Sequence, residues 1–166
     1  MVFQLSVNVT QAPAQAGDFA SSNPRHSALV TEGGYVAGAG GLTIGLFAWA
    51  DTATGQVLLN TGSGAPTGFV HREMQAMITA YLGSAGYVIP AGFGVGGLFD
   101  GGDFWVKNAG AGAVTIGMKA FANNTNGTIS FAAPLATVGG STETKWYAFS
   151  KAATLELVMI TSTPPG

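Results

Sequence analysis

His26 and His71 are the only histidines among the 166 residues of this chain, so any Ser-His-Asp triad has to use one of them. A Ser-His-Asp hydrolase would also need a strand-to-helix turn that presents a serine, and no G-x-S-x-G sequence occurs. This disfavours a small hydrolase. His71 and Glu73 alternate along the chain and would share one face of a strand, giving a metal two ligands. Zinc needs at least three protein ligands, and the sequence places no third. A solvated helix start with Arg72 pairing locally accounts for the same residues. With no cysteine in the chain, there is no disulfide, thiolate ligand or sulfur nucleophile.

The remaining patterns with chemical meaning are weaker than their structural alternatives. Gly92, Gly94 and Gly97 fit G-x-G-x-x-G after an apolar stretch, but the residues that follow do not open a helix, and a phosphate site of that kind depends on a helix N-terminus. Turn and bulge glycines are the better reading. Asp100 and Asp103 flank a Gly-Gly pair and would suit either a weak calcium loop or a plain turn. Trp49, Trp105 and Trp146 would suit a carbohydrate-stacking platform, yet aromatic residues on apolar strands serve more often as core or interface anchors. Asn8, Asn123 and Asn126 lie in N-x-[ST] patterns, which matter only in an exported chain. We therefore expect no catalytic residue, no metal and no cofactor, and the protein is read as a non-enzyme.

Only 8% of the residues are Asp, Glu, Lys or Arg, against about a quarter in an ordinary soluble domain. A lone globule covers itself with solvated charge, so a chain this neutral, with 26 glycines, is expected to hide much of its surface in an assembly. Six scattered Lys and Arg and a formal charge of -2 leave no basic stripe for phosphates. Neither a nucleic acid nor an anionic membrane surface is an expected partner.

These residues have to be placed by short elements. The uncharged run 33–50 is interrupted by six glycines, too many for a membrane-spanning helix, and reads as strands and tight turns. The first residues carry neither a basic region nor a long apolar one, so synthesis and use without export are expected. Residues 1–28 are polar, contain proline and read as an N-terminal arm; residues 29–166 read as a β-rich body. Apolar groups of strand length recur at 35–37, 42–44, 46–49 and 56–59, with 51–55 as a hairpin connection and 60–68 as a loop. The spacing of Met74, Met77, Ile78, Tyr81 and Leu82 predicts one short helix over 70–82, after which 87–90 resumes extended structure. Alternation predicts further strands at 104–107, 114–118, 128–131 and 155–160, and Asn126-Gly127 predicts the turn joining 118–121 to 128–131. The fold class is mainly β: a β-sandwich or barrel, jelly-roll or tulip-like, of short strands with one short helix and an extended N-terminal arm.

Several stretches resemble structural cement proteins of tailed-phage heads. They are 16–21 (Ala-Gly-Asp-Phe-Ala-Ser) with Asn23, Pro24 and Arg25, Glu32 to Gly34 leading into Phe47, Ala48 and Trp49, and 68–73 (Gly-Phe-Val-His-Arg-Glu). Residues 88–93, 102–106 and 119–123 resemble them too, so the likeness runs from about Ala16 to Phe131 and fades after Ala133. The resemblance implies a decoration or minor capsid protein on the outside of the virion capsid, made in the cytoplasm of a bacterial host, that bridges and stabilises major-capsid subunits. It implies the major capsid protein as partner, self-association as a homotrimer, and no catalytic residue. On that reading the arm reaches a neighbour by strand addition, and Asp18, Phe19, Arg25, Arg72 and Glu73 are the expected capsid or subunit contacts. A carbohydrate- or receptor-binding β-module of a phage or bacterial surface structure is the alternative, resting on the tryptophans and the neutral surface.

Overall fold

Alternation along short segments builds two stacked sheets, because each strand turns every second side chain to the same side. The computed structural model describes residues 14–30, 32–73 and 87–164. One sheet has seven strands, in the order β1 (His26–Ser27), β9 (Leu98–Gly101), β6 (Gly68–Val70), β4 (Phe47–Ala50), β5 (Val57–Leu59), β2 (Tyr35–Ala37) and β8 (Gly94–Val95). The second has five: β10 (Asp103–Lys107), β14 (Leu157–Thr161), β13 (Ser141–Ala148), β11 (Lys119–Asn123) and β12 (Ile129–Ala132). A two-stranded ribbon pairs β3 (Leu42–Thr43) with β7 (Val88–Ile89). Neither large sheet closes on itself, so the mainly β fold is a sandwich and not a barrel.

Two apolar clusters hold the layers together. Phe47, Trp49, Phe69 and Phe99 of the seven-stranded sheet meet Phe104, Val106, Ile129, Trp146, Val158 and Ile160 of the five-stranded sheet. The residues between them in sequence, Ala48, Val70 and Leu98, face the other way and pack with Leu42, Ile44 and Leu58. The central strands of the seven-stranded sheet are thus buried on both faces, which is why β4 and β6 read as continuous apolar runs. Phe47, Phe69, Phe104 and Trp146 are fully buried, and their rings meet edge-to-face or tilted in the order Trp146, Phe47, Phe69, Phe104 across the core, at centroid separations of 4.7–5.7 Å.

Most predicted elements are present. The 33–50 run is strands and turns, and 51–55 is the hairpin connection between β4 and β5, where Asp51 accepts from Thr54 Oγ1 and from the Val57 N–H. The Asn126-Gly127 turn joins β11 to β12, with Gly127 at φ 70°. Gly94 lies in a strand and Gly92 in a turn at φ 79°, so the G-x-G-x-x-G pattern has no helix behind it.

Several expectations are corrected. The predicted strand 114–118 is a single bridge from Val114 to Ala152 followed by a turn, where Gly117 at φ 88° breaks the extended path and leaves Ile116 exposed. The last strand begins at Leu157 and not at 155, because Leu155 lies in the turn before it at φ 67°. The predicted helix over 70–82 starts inside β6, since Val70 ends that strand; residues 74–82 lie outside the described residues. Five strands went unpredicted: the two-residue β1 and β8, β6, β9 and the eight-residue β13. Polar residues dominate the first half of β13, although Thr144 faces inward and its hydroxyl donates to the Ala120 carbonyl at 2.7 Å.

Candidate functional site: a strap across both sheets

Residues 17–28 form an antiparallel strap along the β9–β10 ribbon, where the chain passes from one sheet to the other. The Gly17 N–H donates to the Trp105 carbonyl at 2.7 Å and the Trp105 N–H to Asp18 at 2.9 Å. Phe19 bridges Phe104, and the Ala20 N–H donates to Asp103. Further along, His26 and Ser27 pair with Gly101 and Phe99, and the Ala28 N–H reaches Leu98. One strap thereby seals the outer edges of β10 and β9, which would otherwise offer unpaired backbone groups to any other chain. Between these pairings, Ser21 Oγ and Asn23 Nδ2 both donate to Asp103 Oδ2, at 2.6 and 2.7 Å. Burial works to raise the Asp103 pKa, but hydrogen bonds from Ser21, Thr161 and Asn23 outweigh it and hold the carboxyl below the usual range.

A compact cluster fastens the start of the strap. Phe19 stacks on the buried His71 ring at 3.7 Å, and the Arg25 guanidinium covers Phe19 with its carbon 3.7 Å from the ring centroid. Phe99 and Phe104 pack around Phe19 at 5.5 and 5.6 Å. His71 Nδ1 lies 2.6 Å from the Gly17 carbonyl, so its proton resides on Nδ1 and donates. Burial pushes the His71 pKa down, against smaller upward influences from Gly17, Glu73 and Asp18, and the ring is neutral at neutral pH. Arg72 Nε donates to Asp18 Oδ1 at 2.8 Å and Nη1 to Gln15 Oε1 at 3.0 Å, while the Arg72 N–H donates to the Gly17 carbonyl. Gly17 has φ 96°, and a Cβ there would lie 3.0 Å from Arg72 Cβ, so only glycine lets the strap approach this closely.

The predicted contact residues therefore lie together. Asp18, Phe19, Arg25 and Arg72 interlock around His71. Glu73 lies beside them, its backbone N–H on the His71 carbonyl and its side chain against Gly97. Two local readings change. His71 is buried against aromatic rings and does not open a solvated helix, and Arg72 pairs across 54 residues with Asp18 and not locally. Sequence reasoning missed Gln15, Gly17, Ser21 and Asn23, although a glycine next to Asp18 is a signal for close backbone approach.

The other candidate chemistries are placed apart. Asp100 forms an ion pair with Lys145 while Asp103 faces the strap, so the two carboxylates do not converge. Trp49 and Trp146 are core residues, 6% and 2% exposed, which leaves Trp105 alone of the three at the surface and removes the stacking platform. Among the described residues no three His, Cys, Asp or Glu side chains gather as a metal site, and no helix is long and apolar enough to cross a membrane.

A chain of the structure described as "The capsid of Myoviridae Phage XM1" shares the fold with a TM-score of 0.68, at 18% identity, over 98% of each chain. Comparison with curated proteins found no match. The sequence profile of the XM1 gp53 minor capsid protein family matches residues 3–162, and the chain belongs to that family. Its role is structural, in the capsid, and its place is the virion.

Proposed function

We propose that the protein is a cement protein on the outer surface of a tailed-phage capsid, bridging and stabilising major-capsid subunits without catalysing a reaction. The observation that carries this reading is the family match over 3–162. The low charge supports it, because a neutral subunit suits burial between protein surfaces. Its partners are the major capsid protein and further copies of itself, as a homotrimer, with neither nucleic acid nor membrane involved. A symmetric oligomer over a seam engages several capsid subunits at once and converts modest contacts into lasting attachment.

Residues 1–28 are the arm in this proposal and 29–166 the body. The strap gives the arm a fixed base, and the Asp18, Phe19, Arg25, Arg72 and Glu73 corner meets the neighbouring subunit. Arg25 is the exposed cation of that corner, already desolvated on one side by Phe19. Adding purified protein to capsids that lack it and imaging the particles tests the reading. Density on the outside, across boundaries between capsid subunits, is the expected result; bare particles at saturating protein would overturn it.

A further inference from the structure

The five-stranded sheet has one face in the core and one that belongs to neither apolar cluster. Phe104, Val106, Val158 and Ile160 point inward, so Trp105, Leu157 and Met159 point outward. Trp105 and Met159 are direct cross-strand partners. Beside them, Phe149 donates its N–H to the Met159 carbonyl at 2.7 Å and leaves its side chain 53% exposed. A cleft of about 430 Å³ adjoins Phe149 and Met159 at one end of this row, and another of about 530 Å³ adjoins Lys107 and Leu157 at the other. Aromatic and methionine side chains set in a row between concave sites are the composition of an interface core.

The charges on this face select its occupant. Lys107 points outward on β10 with Trp105, is exposed, and forms no ion pair among the described residues; exposed Lys151, two positions after Phe149, forms none either. The nearby carboxylates are committed elsewhere: Asp103 to Ser21 and Asn23, Glu143 to the Leu135 N–H, Glu156 to the Ala153 N–H. The two halves of the chain also differ in sign. Residues 1–101 carry five carboxylates and two arginines, net -3, whereas 102–166 carry four lysines and three carboxylates, net +1. The acidic half presents an exposed apolar corner whose carboxylate forms no ion pair among the described residues: Leu29 is 97% exposed, Val30 is 40% exposed, and Glu32 is at the surface.

We infer that the Trp105–Met159–Phe149 face of one copy seats the Leu29–Val30–Glu32 corner of the next copy, head to tail. This deepens the self-association in the proposed function and rests on it. Because the two patches differ, the contact is heterologous, and a closed ring satisfies every copy.

Mixing two variants tests the inference. Leu29→Asp spoils the corner and keeps the face, and Phe149→Asp does the reverse; both positions are exposed, and near-UV circular dichroism checks that each variant is folded. By sedimentation, wild type is expected to run as an oligomer, each variant as a monomer, and their equimolar mixture as a dimer of one copy of each, held by the single intact contact. A wild-type monomer, variants that remain oligomeric, or a mixture that stays monomeric would each overturn the inference. Capsid binding by the same samples separates it from the reading beneath: a wild-type monomer that still decorates capsids overturns the ring alone, and an oligomer that leaves capsids bare overturns the cement reading alone.

Discussion

The Phe19 ring lies 3.7 Å from the His71 ring, 22° from parallel, and joins a segment near the start of the chain to the end of a central strand 52 positions later. Phe19 is the one large apolar side chain of the strap, so the strap's attachment depends on it. Phe19→Ala removes the stack on His71, the contacts to Phe99 and Phe104, and the seat of Arg25. The expected loss is about 3 kcal/mol, the lower end for deleting a packed phenylalanine. Arg25→Ala should cost about 0.5–1 kcal/mol, as an exposed cation–π contact does. Denaturant melts of the two variants check the ranking, and equal effects would contradict it.

Gly17→Ala is expected to cost about 2 kcal/mol or more. A side chain at φ 96° is strained, and its Cβ would also press on the Arg72 backbone. The same substitution at Gly40, which has open space and no positive φ, serves as the control and should leave the melting temperature within a few degrees.

Acid should loosen the strap. The His71 pKa is lowered on folding, so between the ordinary histidine value and the lower folded one the unfolded chain binds more protons, and stability falls as pH drops below about 6.5. Protonation sets an imidazolium in a buried site, a desolvation penalty that Glu73 and Asp18 only partly offset. His71→Asn keeps a donor for the Gly17 carbonyl without the titration. This variant should be less stable at neutral pH but show a flatter slope from pH 7 to about 5. Asp103 adds a second loss in stronger acid, since its lowered pKa contributes stability that is present above the ordinary aspartate value and disappears as pH falls through the folded one.

Truncation separates the strap from what precedes it. A chain beginning at Ala14 retains every strap contact described above and should melt within a few degrees of the full protein. A chain beginning at Leu29 loses the partner of both sheet edges and uncovers Phe99 and Phe104. It should aggregate on refolding, read by light scattering.

Much of the sandwich was legible because its strands carry their own signals: the β4–β5 hairpin through Asp51, the β11–β12 turn through Asn126-Gly127, and β10 through alternation about Trp105. β13 was hidden because Thr144 takes an inward position that alternation assigns to an apolar residue, and its hydroxyl is satisfied by a neighbouring strand that sequence cannot supply. β6 and β9 were hidden for a different reason. Both are short; β6 is buried on two faces with no polar residue, and β9 carries one, Asp100, whose partner Lys145 lies on the other sheet. At the site, Asp18, Phe19, Arg25, Arg72 and Glu73 were expected as contacts through the resemblance, but their gathering around His71 depends on pairings across 54 residues. No local pattern encodes such a contact, and so His71 read as solvated when it is the centre of the cluster.

The cement reading requires that the bound protein make the shell harder to open. The most direct measurement is the temperature at which DNA-filled capsids open, read by dye access to the DNA, with and without saturating protein. A higher opening temperature with protein bound is the expected result; an unchanged opening temperature on fully decorated particles would contradict the account.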